Sequence, residues 1–285
     1  MLLKRIITFC VFSMCYLLIS IAQADVLDPY HNINAPPGAL AVVSYLNYED
    51  LPKAVSKGGD ETTINLRASA LLIRPIYFFP EKLADKFSWG ANAIFSFAHV
   101  SMDSEKNSSG LGDIMAGPFI YFYENEKDNV YLSFWEFVQM PTGQYDKDRE
   151  TSLGNDAWWF AHMFGLGWYP SKLGLDANFT YWQKGESNET NYDYPDAFET
   201  EAVLHYGITE KFRVGVQGAA WWDLQNAKED GIDVPDTKGI NFKTGFNLGY
   251  NLQENLILNL RHMIDVKSEN WAKGTWTYLR FYYVF

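Results

Sequence analysis

The last ten residues, Trp276-Thr-Tyr-Leu-Arg-Phe-Tyr-Tyr-Val-Phe285, constrain the fold more than any other stretch. They contain no turn residue and no polar tail. Thr277, Leu279, Phe281, Tyr283 and Phe285 alternate with Trp276, Tyr278, Arg280, Tyr282 and Val284, and a period of two is the signature of a β-strand. An apolar strand left unpaired would template aggregation. It must therefore close onto another strand. A terminal aromatic preceded by aromatics at alternate positions resembles the C-terminal signature of bacterial outer-membrane β-barrels. The competing reading is the closing strand of a soluble sandwich.

The other end of the chain agrees. Lys4 and Arg5 precede an apolar run, Ile6 to Ile21, and then Ala22-Gln23-Ala24. This is the pattern of a secretory signal peptide over 1–24, with cleavage expected before Asp25. The run is short of the roughly 20 apolar residues of a spanning helix. The two cysteines, Cys10 and Cys15, both lie inside it, so the remaining chain has no thiol chemistry. Loss of Lys4 and Arg5 leaves 21 basic residues against 35 acidic ones, a net charge of −14. That balance argues against a nucleic-acid partner. Aromatic residues make up 17% of the chain, which suits the interfacial girdles of a membrane protein.

Residues 25–38 are broken by Pro29, Pro36, Pro37 and Gly38 and read as a periplasmic lead-in or a segment tucked into the barrel mouth. Beyond them the chain divides into about 12 strand-like segments, near 39–48, 62–77, 87–101, 110–123, 130–140, 157–169, 173–184, 197–206, 212–224, 239–250, 256–265 and 274–285. Polar connections at 49–61, 102–109, 141–156, 185–196, 225–238 and 266–273 alternate with mostly tight ones. Long outer loops and short periplasmic turns are the topology of an outer-membrane barrel. A Greek-key sandwich has no reason to produce that alternation. The expected fold is an all-β, transmembrane, antiparallel up-and-down β-barrel of about 12 strands over 39–285.

The strand faces then nominate the lumen lining. Arg67, Arg213, Asp223, Lys243, Arg261, Asp265 and Arg280 each lie opposite the more apolar set of their strand, as Arg213 does to Phe212, Val214 and Val216. A cation facing lipid at mid-depth would cost about 2–4 kcal/mol. These side chains are accordingly expected inside, partly filling the pore. In 62–77 the same rule puts Ile64, Leu66, Ala68, Ala70 and Leu72 on the lipid. Glu136 shares a face with Val130, Leu132, Phe134 and Val138, and is expected to turn inward by a bulge or to sit near the interface. Pro118 cannot donate to a ladder, which suggests a bulge or local distortion.

Two short motifs are more specific than the pattern: Gly110-Leu-Gly112-Asp113-Ile114 and Pro141-Thr142-Gly143-Gln144-Tyr145. Leu153-Gly154-Asn155 and Thr190-Asn-Tyr192 follow them. In this order they resemble a family of outer-membrane transporters associated with the meta-pathway of phenol degradation. The resemblance covers roughly 110–285. It implies a channel for small hydrophobic or aromatic compounds. Physically, the glycines permit positive φ or close backbone approach and Asp113 can cap a turn, so these motifs read first as loop architecture and second as solute contacts.

The histidines and acidic runs carry only weak catalytic and metal-binding patterns. His99 and Ser101 share a face and are the nearest thing to a nucleophile–base pair, with no orienting group behind them. Asp146-Lys-Asp148-Arg-Glu150 lacks the glycine of a calcium loop, and no zinc spacing is present. No enzyme, cofactor or metal is expected. Trp158-Trp159 and Trp221-Trp222 each place one indole towards lipid. The expected partners are outer-membrane lipid and lipopolysaccharide, a small-molecule solute, and the outer-membrane assembly machinery through the strand ending at Phe285. An outer-membrane lipid-modifying enzyme, and a structural or adhesive barrel acting through its outer loops, remain the alternative functions.

Overall fold

The computed structural model describes residues 27–103, 107–149 and 151–285. The signal-peptide expectation lies outside them. The strands in chain order are β1 (Leu40–Val55), β2 (Glu61–Phe78), β3 (Ser88–Ser101), β4 (Ser108–Leu111), β5 (Ile114–Asn125), β6 (Val130–Met140), β7 (Trp159–Trp168) and β8 (Leu173–Lys184). They continue with β9 (Tyr192–Asp193), β10 (Ala197–Gly207), β11 (Phe212–Asp223), β12 (Lys228–Glu229), β13 (Ile232–Asp233), β14 (Ile240–Gln253), β15 (Leu256–Glu269) and β16 (Trp271–Val284). Thirteen of them form one antiparallel sheet that closes on itself through the β2–β3 pairing. β4 and β5 both pair with β3 and occupy one place in the ring, so the barrel has 12 staves. β9, β12 and β13 form a small separate sheet among the long loops.

Closure is made where the C-terminal strand predicts it. β16 pairs with β1 from Ala41↔Val284 to Val55↔Trp271, and with β15 on its other side. Trp276, Tyr278 and Arg280 are buried inside, while Leu279 and Phe281 stand outside. Closure satisfies the backbone within the sheet, the only arrangement a strand protein has for crossing hydrocarbon.

Two long connections expected from sequence are strands instead. Residues 49–61 are mostly the outer ends of β1 and β2, joined by a short turn at 56–60, and 266–273 is β15 running through Asn270 into β16. Leu51, Ala54 and Val55 are buried there, so these hairpins project past the long-loop rim with an apolar inner face that sustains pairing. Pro118 produces no register shift: Ala116↔Val138 and Phe119↔Trp135 share one register, and the ladder simply skips the rungs between.

Candidate functional site

The barrel wall surrounds a filled lumen with two unlike halves. On β2, β5 and β6 the inward residues are apolar and aromatic: Leu72, Ile76, Phe78, Phe119, Tyr121, Trp135 and Phe137 are all buried. Their rings pack face to face and edge to face, with Phe119 and Trp135 centroids 4.1 Å apart at 21° and Phe78 against Phe119 at 5.1 Å. On β8, β10, β11, β14 and β15 the inward residues are polar. Asp176, Asn178, Glu199, Glu201, Gln217, Asn241, Asn247, Asn259 and Arg261 are equally buried. Buried polar groups need partners, and here many find them on a third element.

That element is the segment 27–38, which lies among these inward side chains. The backbone carbonyl of Leu27 accepts from Gln217 Nε2 and Arg261 Nη1, both at 2.8 Å. Asp28 accepts from Asn247 at 3.0 Å and lies 3.7 Å from Arg280. Asp176 receives the backbone N–H groups of Tyr30 and Asn32, both at 2.9 Å, and the hydroxyl of Tyr169. Asn32 donates its side-chain amide to Leu166 O, Ala177 O and Asn178 Oδ1 at 3.1–3.3 Å. Near the short-turn rim Tyr121 donates to Ile33 O and Asn34 to Glu124. Gly165 makes the notch for Asn32: a Cβ there would stand 2.4 Å from Asn32 Oδ1 and 2.5 Å from Ser133 Oγ. The segment therefore blocks the lumen, held by hydrogen bonds rather than by strand pairing.

Towards the long loops a second layer closes the lumen. Indoles run in contact from Trp159 to Trp182 (6.3 Å), Trp221 (5.9 Å) and Trp271 (5.7 Å). The ammonium of Lys184 sits between the rings of Trp159 and Trp221, 4.7 and 4.6 Å from their centroids, with Asp223 at 3.7 Å. The same motif recurs down the wall. Lys243 lies 3.6 Å from the Trp276 ring, Arg261 3.9 Å from Tyr278, Arg213 4.6 Å from Tyr30, and Arg74 5.0 Å from Trp135. An aromatic face attracts a cation most strongly where water is excluded.

Six of the seven lumen candidates named from sequence are buried inside the barrel: Arg213, Asp223, Lys243, Arg261, Asp265 and Arg280. Arg67 is not. It is exposed on the outer wall, 3.4 Å from Asp50, and β2 turns Ile64, Leu66, Ala68, Ala70 and Leu72 inward. The polar-side-inward rule fails on this strand because the facing half of the lumen is apolar. Arg67 tolerates the outside because it lies near the long-loop rim. The inward cation of β2 is Arg74, fully buried. Its signal was a lone arginine inside Ala70-Leu-Leu-Ile-Arg-Pro-Ile76, where a lipid-facing register would strand a charge.

Glu136 stays on the outer face, with no bulge between β6 and β7. It bonds His162 Nδ1 at 2.7 Å, and His162 stacks on Tyr181 at 5.8 Å and 17°. His99 and His262 are also outward; His99 bonds Ser109 at 2.6 Å rather than Ser101, and His262 bonds Thr277. Trp158 faces out while its neighbour Trp159 is buried, and Trp221 is buried beside a half-buried Trp222. Asp146 pairs with Arg149 at 3.0 Å, and no cluster of three potential metal ligands occurs among the described residues.

The glycine motifs meet at one carboxylate. Asp113 Oδ1 accepts from Gly143 N at 2.8 Å, and Oδ2 accepts from Gln139 Nε2 at 3.0 Å and Asn155 N at 2.9 Å. Thr142 Oγ1 accepts from Ile114 N. A Cβ on Gly143 or Gly154 would collide with Asp113, and one on Gly110 with the side chain of Gln144. Gly112 donates its N–H to Ser96 O, and Pro141 and Tyr145 flank the knot in the same loop. The motif thus ties the 141–156 loop onto the β4–β5 break.

A closed antiparallel barrel with short turns at one rim and long loops at the other is the architecture of a bacterial outer-membrane β-barrel protein. An outer membrane channel from Pseudomonas putida F1 superposes with a TM-score of 0.83 at 18% identity, over 91% of this chain and 100% of that one. The transport unit of the autotransporter AIDA-I from Escherichia coli superposes with a TM-score of 0.53 at 10% identity, over 95% and 97%. Among curated proteins no sequence matches. The chain belongs to the family described as "Putative MetA-pathway of phenol degradation", whose model matches residues 52–281.

Proposed function

We propose that the protein is an outer-membrane channel for small hydrophobic or aromatic solutes, passive in mechanism and closed at rest by residues 27–38. The observation that carries this reading is the seating of that segment. It lies in a 12-stave lumen without joining the sheet, and beside the charge-assisted contacts at Asp176, Asp28 and Arg261 its anchors include several neutral hydrogen bonds. A neutral protein hydrogen bond contributes about 0.5–1.5 kcal/mol net, so such a stopper can withdraw while the barrel stays folded. The aromatic half of the wall and the row of indoles suit a flat apolar solute. The family name supports aromatic compounds as cargo. The outer wall and the Trp158 and Trp168 rings would meet outer-membrane lipid and lipopolysaccharide, and the strand ending at Phe285 is the segment offered to the assembly machinery.

Liposomes carrying the chain from Asp25 and the chain lacking 25–38 test this reading. The shortened protein should admit small solutes faster than the full one, and both faster than bare lipid. Uptake by the shortened protein no faster than through bare liposomes, across charged, neutral and aromatic solutes, would overturn it.

A further inference from the structure

Arg74 is unlike the other lumenal cations. Lys184, Arg261 and Arg280 each have a carboxylate within 4.0 Å, and Arg213 donates to Asn251 at 2.5 Å. Arg74 has no carboxylate partner among the described residues, and the Tyr45 hydroxyl lies beside its guanidinium. Yet its side chain is held. Nε donates to Asn92 Oδ1 at 3.0 Å, and Asn92 Nδ2 donates to Gly117 O at 2.9 Å. The guanidinium carbon lies 5.0 Å from the Trp135 ring and 5.4 Å from that of Phe137. A guanidinium fixed by its inner nitrogen, with no carboxylate on its outer fork and with aromatic flanks, is matched to a bidentate carboxylate. A buried charge without a counter-ion is costly to maintain, and a bound anion would supply one.

The rings define the rest of the ligand. Trp135, stacked on Phe119, flanks the guanidinium, so an aromatic ring attached to the anion would meet aromatic faces. The stopper covers this place: the His31 ring lies 6.3 Å from Trp135, and Ile33 O accepts from Tyr121.

We propose that Arg74, oriented by Asn92 and walled by Trp135 and Phe137, forms a lumenal subsite for small aromatic carboxylates. This deepens the channel reading and rests on it. The carboxylate engages the outer fork of the guanidinium beside Tyr45, and the aromatic ring takes the place of the His31 imidazole against Trp135. The site then selects aromatic acids over neutral aromatics of the same shape.

The test is equilibrium binding of benzoate and of its neutral isostere benzamide to the full chain from Asp25 in detergent micelles, with folding verified by heat-modifiable gel mobility. Benzoate should bind saturably and benzamide at least about tenfold more weakly, the scale of one charge-assisted pair. Arg74→Met should abolish that preference, bringing benzoate and benzamide to within about twofold of each other, since the charge-assisted bonds are lost. Arg74→Lys should keep part of it. Asn32→Ala, which loosens the stopper, should bind benzoate at least as well as the parent. Equal binding of acid and amide, an undiminished preference in Arg74→Met, or no benzoate binding by either the parent or Asn32→Ala would overturn the proposal. Because the readout is binding and not flux, equal binding of acid and amide by a protein that still admits solutes in liposomes would sink the subsite and spare the channel. Acid-selective binding without uptake would do the reverse.

Discussion

Replacing Asn32 by Ala perturbs the stopper and leaves the barrel wall intact. The Asn32 side chain is fully buried and donates to Leu166 O, Ala177 O and Asn178 Oδ1. Two of the three acceptors are backbone carbonyls at 3.1 and 3.3 Å, long enough to count as weak to ordinary hydrogen bonds. An amide carries only two hydrogens, so the three contacts amount to two full bonds. At about 0.5–1.5 kcal/mol each, the docked state loses about 1–3 kcal/mol, a shift of roughly 5- to 150-fold in the docked-to-undocked ratio. The backbone N–H of Asn32 keeps its bond to Asp176, so the segment is loosened and not abolished. Planar-bilayer recording should show an increased open probability with unchanged conductance of the open state, because the pore itself is not altered. Proteolysis within 27–38 should accelerate in parallel. An unchanged open probability, in a protein whose shortened form conducts freely, would refute the assignment of these bonds as the latch.

Three further outcomes follow from the same geometry. Gly165→Ala drives a methyl into the space held by Asn32 Oδ1 and Ser133 Oγ, so it should raise open probability at least as far as Asn32→Ala, by the same recording; a silent variant would mean the notch is not needed. Asp113→Ala removes three hydrogen bonds that bind the 141–156 loop to the β4–β5 break, and should cost about 2–5 kcal/mol of stability, read as a lower urea midpoint in lipid vesicles. The double replacement Glu136→Leu with His162→Leu takes a polar pair off the outer face of β6 and β7, below the Trp158 end of that face. It should be neutral or stabilising by about 1–4 kcal/mol, whereas a loss of fold would show that the pair does structural work.

Much of the barrel is legible in the alternation of its strands. β6 and β8 begin and end where the sequence places them, and β10 and β11 differ by a residue at one end. Their boundaries are set by Gly, Pro and polar turns that interrupt pairing locally. Facing is legible only where the lumen is polar. β11, β14, β15 and β16 show Arg213, Lys243, Arg261 and Arg280 inside, as their patterns imply. β2 and β6 do not, because their lumen side carries Leu72, Trp135 and Phe137 against other aromatics, so both faces of these strands are apolar. One exception was readable: Arg74 sits in an apolar run, and a charge there fixes the inward register. The stopper left no comparable trace. Its anchors pair residues 27–34 with residues 121–261, and a short irregular segment carries no periodicity to reveal where it docks. The protruding hairpin at 49–61 was hidden by Pro52, Gly58 and Gly59, which look like a loop, although Leu51, Ala54 and Val55 continue the strand.

The most direct test of a removable stopper uses the absence of cysteine from the chain beginning at Asp25. Asn32→Cys combined with Gly165→Cys places two thiols where Gly165 faces Asn32, since a Cβ on residue 165 would lie 3.1 Å from the Asn32 Cγ position. Solute uptake by liposomes holding this protein is measured after oxidation and again after reduction, with the cross-link confirmed by mass. The account predicts a closed channel when oxidised and an open one when reduced, in the same preparation. Equal uptake in the two states, with the cross-link formed, would contradict it.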